Sequence, residues 1–173
     1  MAVLPVATLK TNMPIGQSGQ TSVQDIHNIV DTMGAMRPFV NVKQFGAVGD
    51  DAADDTQAFI DAFAAGAGGT IFVPKGVYRI NANTLNLPSK TSLIGAGLGA
   101  EMKKRTNGDL IRHHGTATWG DGARVINSFV KDLFFNGGDM TGAIISIKHC
   151  SEFEMTGCHF FGNSGIGIDC VEI

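Results

Sequence analysis

Charge is scarce in this sequence. Only 17% of its 173 residues are Asp, Glu, Lys or Arg, against about 25% in an ordinary soluble domain. A disordered chain would be polar and strongly charged, so disorder is excluded for the chain as a whole. The net charge of −3 leaves no broad basic field to hold a nucleic-acid backbone. One basic run, Lys103-Lys104-Arg105, stands alone and reads as a solvated loop. No run of 18 apolar residues occurs, so no membrane-spanning helix is expected. The N-terminus, Met1 to Lys10, has neither a charged start nor a long apolar stretch, and is not a secretory signal. Cysteine is rare: Cys150, Cys158 and Cys170 form an odd set near the C-terminus and no disulfide framework, which fits a reducing cytosol.

Glycine, by contrast, is plentiful, at 23 of 173 residues, about twice its usual share. It has no collagen period. Residues 1–21 carry Pro5, Pro14, Gly16 and Gly19 and no steady period, and read as an extended arm that needs a partner to become ordered. Residues 22–36 differ. Ser22 is a good N-cap, and Val23, Ile26, Val30 and Met33 follow at spacings of three and four, an apolar seam on one helix face. A helix of about four turns is marginal alone. It buries that seam either on its own domain or against copies of itself. Gly34 and Pro38 end it.

Val40, Val42 and Phe45 suggest a short strand. A second helix follows, with Asp54 as expected N-cap, Gln57 as its capping-box partner, Asp55 in the first turn, and Ala58, Phe59, Ala62 and Phe63 as its apolar face. From Thr70 the period changes. Short apolar runs at 70–74, 77–80, 84–87 and 91–95 are separated by Gly, Pro, Asn and Ser. The same texture resumes at Ile126, while Lys103 to Arg124 reads as a longer projecting loop. Val130, Leu133 and Phe135 recur 25 residues later as Met155, Cys158 and Phe160, and Ile145 and Ile147 recur 21 residues later as Ile166 and Ile168. A drifting period with short strands points to a solenoid, one turn of chain per coil. Asn136-Gly137-Gly138-Asp139 and Gly162-Asn163-Ser164-Gly165 fall at equivalent corners. Thr70 to Ile173 allows about four coils, each about 4.8 Å tall.

Three ordered blocks then carry a resemblance: Asn41-Val42-Lys43-Gln44-Phe45-Gly46-Ala47-Val48-Gly49-Asp50, Asp54-Asp55-Thr56-Gln57-Ala58-Phe59, and Gly68-Gly69-Thr70-Ile71-Phe72-Val73-Pro74-Lys75-Gly76-Val77-Tyr78. They resemble the start of the right-handed parallel β-helix of the pectate-lyase and polygalacturonase superfamily, a start shared by many bacteriophage tailspikes. The resemblance implies a mainly β chain: an N-terminal extended arm and short α-helix, then the helix-capped start of a β-helix over 39–173. It implies that Asp54, Asp55, Phe59, Ala62 and Phe63 cover the open lower end of the solenoid, with Asp50, Asp54 and Asp55 as turn and capping groups and not a catalytic pair. The residues before 39 suit a tailspike better than a secreted enzyme. Tailspikes are typically homotrimers, so residues 22–38 become a trimer neck, with Val23, Ile26, Val30 and Met33 on the threefold axis. Residues 1–21 then dock into a phage tail or baseplate, in a virion assembled in the host cytoplasm.

The chemistry implied by the superfamily is cleavage of polysaccharides by groups of carboxylates. Glu152 and Glu154 are spaced to share one strand face about 6–7 Å apart, a spacing open to a catalytic pair but read here as an ordinary outward-facing polar face; Asp169 stands alone. His149, Cys150, Cys158, His159 and Cys170 lack the spacing of a zinc site, and the cysteines read as interior filling. His113-His114 reads as a surface pair in the long loop, and Trp119 as packing under that loop. Gly95-Ala96-Gly97-Leu98-Gly99 lacks a following Gly-Lys-Ser/Thr and turns one coil into the next. No cofactor or metal is expected, and no catalytic residue is assigned. The chain stops in mid-coil, so the expectation is the base of a longer spike, with the polysaccharide-recognising or depolymerising coils beyond residue 173. The alternatives are a complete polysaccharide lyase or hydrolase, and a non-catalytic adaptor carrying another spike.

Overall fold

A computed structural model describes residues 37–82, 84–115 and 125–171. The chain divides into two units, 1–37 and 38–173, and the described fold belongs to the second. The arm, the four neck residues Val23, Ile26, Val30 and Met33, and Trp119 lie outside the described residues.

Described elements open with β1 (Phe39–Asn41), a 3-10 turn (Val42–Phe45), β2 (Asp50–Asp54) and helix α1 (Thr56–Ala65). Twelve short strands follow: β3 (Thr70–Val73), β4 (Gly76–Ile80), β5 (Leu85–Asn86), β6 (Ser92–Gly95), β7 (Ala100–Lys104), β8 (Ile111–His114), β9 (Val125–Lys131), β10 (Phe134–Asn136), β11 (Ile145–Lys148), β12 (Cys150–Thr156), β13 (His159–Phe161) and β14 (Ile168–Val171). Three parallel sheets result. The first runs β1-β3-β6-β9-β12, the second β2-β4-β7-β10-β13 and the third β5-β8-β11-β14. From β3 onward the chain visits each sheet once per coil, so the molecule is a parallel β-helix of four described coils.

Alternation within each strand explains the closure. In β7, Ala100, Met102 and Lys104 are buried while Glu101 and Lys103 are partly exposed, the two-residue period that sends neighbours to opposite faces. Register then stacks like on like. Ile71, Leu93, Val130 and Met155 form one interior column; Tyr78, Met102, Phe135 and Phe160 form a second; Leu85, Ile111, Ile145 and Ile168 form a third. Phe135 and Phe160 lie ring on ring at 5.2 Å and 17°. The lower members are fully buried, whereas Met155, Phe160 and Ile168 in the last coil are half-buried or exposed.

Helix α1 stands between β2 and β3, where every later coil has a third-sheet strand, and it packs on β5. A bare strand edge invites pairing with other chains; here the helix covers it. Phe59, Ala62 and Phe63 are buried, and Phe59 meets Phe63 at 6.2 Å and Tyr78 at 5.4 Å, both edge-to-face.

Four expectations need correction. The strand expected through Val42 and Phe45 stops at Asn41. The Asn41 side chain accepts from the Lys43 N–H at 2.9 Å and the Gln44 side chain from the Asn41 N–H at 3.0 Å, and such local bonds outcompete extension. The N-cap of α1 is Asp55, not Asp54, and Gln57 donates to Asp61 instead of capping. Ile145 pairs with Ile168 and not Ile166, because Asn163 donates to the Ile166 carbonyl and holds 163–166 as a turn with Ile166 exposed. Finally, the loop expected over 103–124 contains the end of β7 and all of β8, both in register with their neighbours.

Candidate functional site

The lower end gathers four aspartates. Asp50 accepts from the Ala52 and Ala53 N–H groups, both at 2.8 Å. Asp54 accepts from the Thr56 N–H at 3.0 Å and the Thr56 hydroxyl at 2.5 Å. Asp55, 1% exposed, accepts from the Val48 N–H at 2.6 Å and the Gly49 N–H at 3.1 Å. The bonds to Asp50 and Asp54 favour the charged carboxylate. The Thr56 hydroxyl holds Asp54 below the ordinary carboxylate range, and the Ala53 and Ala52 amides do the same for Asp50. Asp51 instead reaches across to Lys103 at 2.8 Å. Tyr78 lies under this cap, its hydroxyl donating to the Pro74 carbonyl at 3.0 Å. Burial, with Asp55 nearby, pushes its pKa up to about 12. Asp50, Asp54 and Asp55 thus tie local backbone amides, and Asp51 ties Lys103 of β7.

The basic run and the histidine pair are not the solvated loops the sequence suggests. Lys104 is 1% exposed and donates to the Thr141 carbonyl at 2.7 Å, tying one coil to the next. Burial pulls its pKa down. His113 is fully buried, in register with Ile147 of the coil above, and its Nδ1 donates to the Leu87 carbonyl at 2.9 Å. Nε2 of His113 has no hydrogen-bond partner, and Phe153 lies 5.4 Å away, ring to ring. His114 faces outward, its Nε2 2.9 Å from the Ser146 hydroxyl, with Ser146 in register with Asp169.

Burial holds His113 below the ordinary histidine range, only partly offset by the Leu87 bond. The folded state therefore binds this proton less readily than the unfolded chain. Its stabilising contribution is complete above about pH 6.5 and falls as pH drops below that value. The urea midpoint is expected to drop more between pH 7.5 and pH 5 in the wild type than in His113→Gln, which keeps a donor for Leu87 but does not titrate. Parallel pH profiles for the two proteins would remove the buried-histidine account.

In the late coils Glu152 and Glu154 do line one groove, with Asn127, Phe129 and Phe153. Ser151 pairs with Ile126 and Phe153 with Ser128, which leaves Asn127 opposite Glu152. Both sit in the left-handed region, at φ 48° and 63°, so Glu152 is a corner residue and not part of a flat strand. Cys158 lies half-buried with its thiol 3.5 Å from the Val130 carbonyl, while Cys170 is exposed. Among the described residues no three His, Cys, Asp or Glu side chains come together to hold a metal ion. Sequence spacing pointed to the two glutamates but not to Phe129 or Asn127, which reach the groove through coil stacking.

Similarity to known proteins agrees with this architecture. The family described as rhamnogalacturonase A/epimerase, pectate lyase-like, matches residues 39–171. Mannuronan C5-epimerase AlgE3 of Azotobacter vinelandii is 37% identical over 106 residues, 56% of this chain and 6% of the epimerase. AlgE4 from the same organism is 37% identical over 148 residues, 69% of this chain and 27% of the epimerase. Among solved structures, ORF18 of Geobacillus virus E2 matches with a TM-score of 0.62 at 26% identity, covering 78% of this chain and 27% of the viral one. The chain thus spans under a third of the length of each of these relatives. Residues 39–171 place the chain in the rhamnogalacturonase A/epimerase, pectate lyase-like family.

Proposed function

We propose that the chain is the base of a phage tailspike, attached to the virion by residues 1–21, trimerised through 22–38, and carrying host-polysaccharide-recognising or depolymerising coils on the solenoid that begins at residue 39. The observation that carries this reading is the match to a viral protein over 78% of the chain. One feature of the molecule supports it. Asp50, Asp54 and Asp55 are tied to backbone amides, as suits a scaffold and not an active centre.

The trimer is tested by light scattering. The wild-type chain is expected to run as three copies, and the double variant Ile26→Asp, Val30→Asp as one, because charge on an apolar threefold seam is costly to bury. A variant that stays trimeric contradicts the neck. A wild-type monomer contradicts the spike. Turnover of a capsular or pectic polysaccharide by these 173 residues alone would favour a self-sufficient lyase or hydrolase instead.

A further inference from the structure

The outer face of the third and fourth coils holds a groove of about 350 Å3 lined by Asn127, Phe129, Glu152, Phe153 and Glu154. Its chemistry is unusual for this molecule. Phe129 is 43% exposed, and Glu154 stands in register with it on the next strand, one strand spacing (about 4.8 Å) above. Glu152 joins from the corner, where its left-handed backbone and that of Asn127 open the wall of the groove. Neither glutamate takes part in an ion pair among the described residues. Among the described residues Glu154 accepts the Thr156 hydroxyl, at 3.1 Å. Lys131 is in register with Thr156 and does not line the groove.

An aromatic face attracts a cation through its quadrupole, and it also packs against the apolar face of a sugar ring. Two carboxylates beside that ring add a field that favours positive charge and opposes negative charge at short range. Mannuronan, named for the epimerase relatives, is a polyanion and is the wrong sign for this groove. We propose that the groove binds an amine-bearing sugar unit, a 2-amino-2-deoxyhexose with its ammonium free, held by Glu152 and Glu154 with Phe129 beneath the ring. The inference rests on the polysaccharide-facing reading above and narrows its ligand to a cationic sugar.

The probes are a glucosamine hexamer, its fully N-acetylated form and an oligogalacturonate of equal length, titrated into the full chain at low salt. The glucosamine hexamer is expected to bind at least tenfold more tightly than either of the others. Glu152→Gln with Glu154→Gln should cost at least tenfold for the glucosamine hexamer and abolish the difference between amine and N-acetyl. Phe129→Ala should weaken binding, while Asp61→Asn on the exposed side of α1 should bind as wild type, which separates the groove from general attraction to an acidic protein. All these positions are exposed, and circular dichroism checks that each variant keeps its fold. Equal affinity for the N-acetylated or uronate probe, unchanged binding by the Gln variant, or no binding of the glucosamine hexamer at millimolar concentration overturns the proposal. None of those results bears on the oligomeric state, so the groove can fail while the spike reading stands.

Discussion

Phe59→Ala is expected to destabilise the β-helix by about 3–5 kcal/mol, the range for truncating a buried aromatic ring. The side chain is fully buried and touches two other rings at the base of the stack, Phe63 and Tyr78. Removing it leaves a cavity between the helix and the first coil, and the part of that cavity that cannot collapse adds to the cost. The loss is read from urea unfolding. Hydrogen exchange should localise it, with the amides of β4 and β5 losing protection before those of β10 and β11. Ile60, the next residue on the same helix, is 42% exposed, and its alanine variant is expected to cost under about 1 kcal/mol. Equal losses at the two positions would mean that α1 does not plug the solenoid.

Asp55→Ala carries the second large effect, about 2–4 kcal/mol. The carboxylate accepts the Val48 and Gly49 amides at 2.6 and 3.1 Å, and charge-assisted bonds of this kind are the strong ones. Truncation strands both donors in a partly buried turn, where an unsatisfied group costs more than the bond itself contributes. Asn keeps one acceptor oxygen and should fall between Asp and Ala. Asp54, on the exposed side, should cost only about 1 kcal/mol as alanine, a typical loss for a local capping bond. Urea midpoints for the three variants check the order Asp55→Ala, Asp55→Asn, Asp54→Ala. The contrast matters because the two aspartates look interchangeable in the sequence.

Much of the scaffold was legible from sequence because it is local. The glycine-punctuated runs from Thr70 onward map on to β3 through β6, and the 25-residue step from Val130 to Met155 is the register of β9 on β12. The buried face of α1, which includes Phe59, Ala62 and Phe63, follows from their spacing in the chain. What escaped was set by stacking between residues far apart in sequence. His113 reads as polar and therefore outside, yet its partner is the Leu87 carbonyl 26 residues earlier. Lys104 is satisfied by the Thr141 carbonyl 37 residues later. A two-residue period cannot say which face of a four-residue strand is inside when both faces carry polar residues, as in Ile111-Arg112-His113-His114. The groove was half legible for the same reason. The spacing of Glu152 and Glu154 is visible in the chain, but the approach of Asn127 and Phe129 depends on the coil below.

Immunogold labelling bears most directly on the spike reading. Antibody fragments raised against residues 38–171 would be applied to virions released from cells that carry this gene. The account predicts gold at the tail and none at the head, and a fall in adsorption to host cells once the fragments are bound. Particles that stay unlabelled while the protein accumulates free in the medium would contradict it.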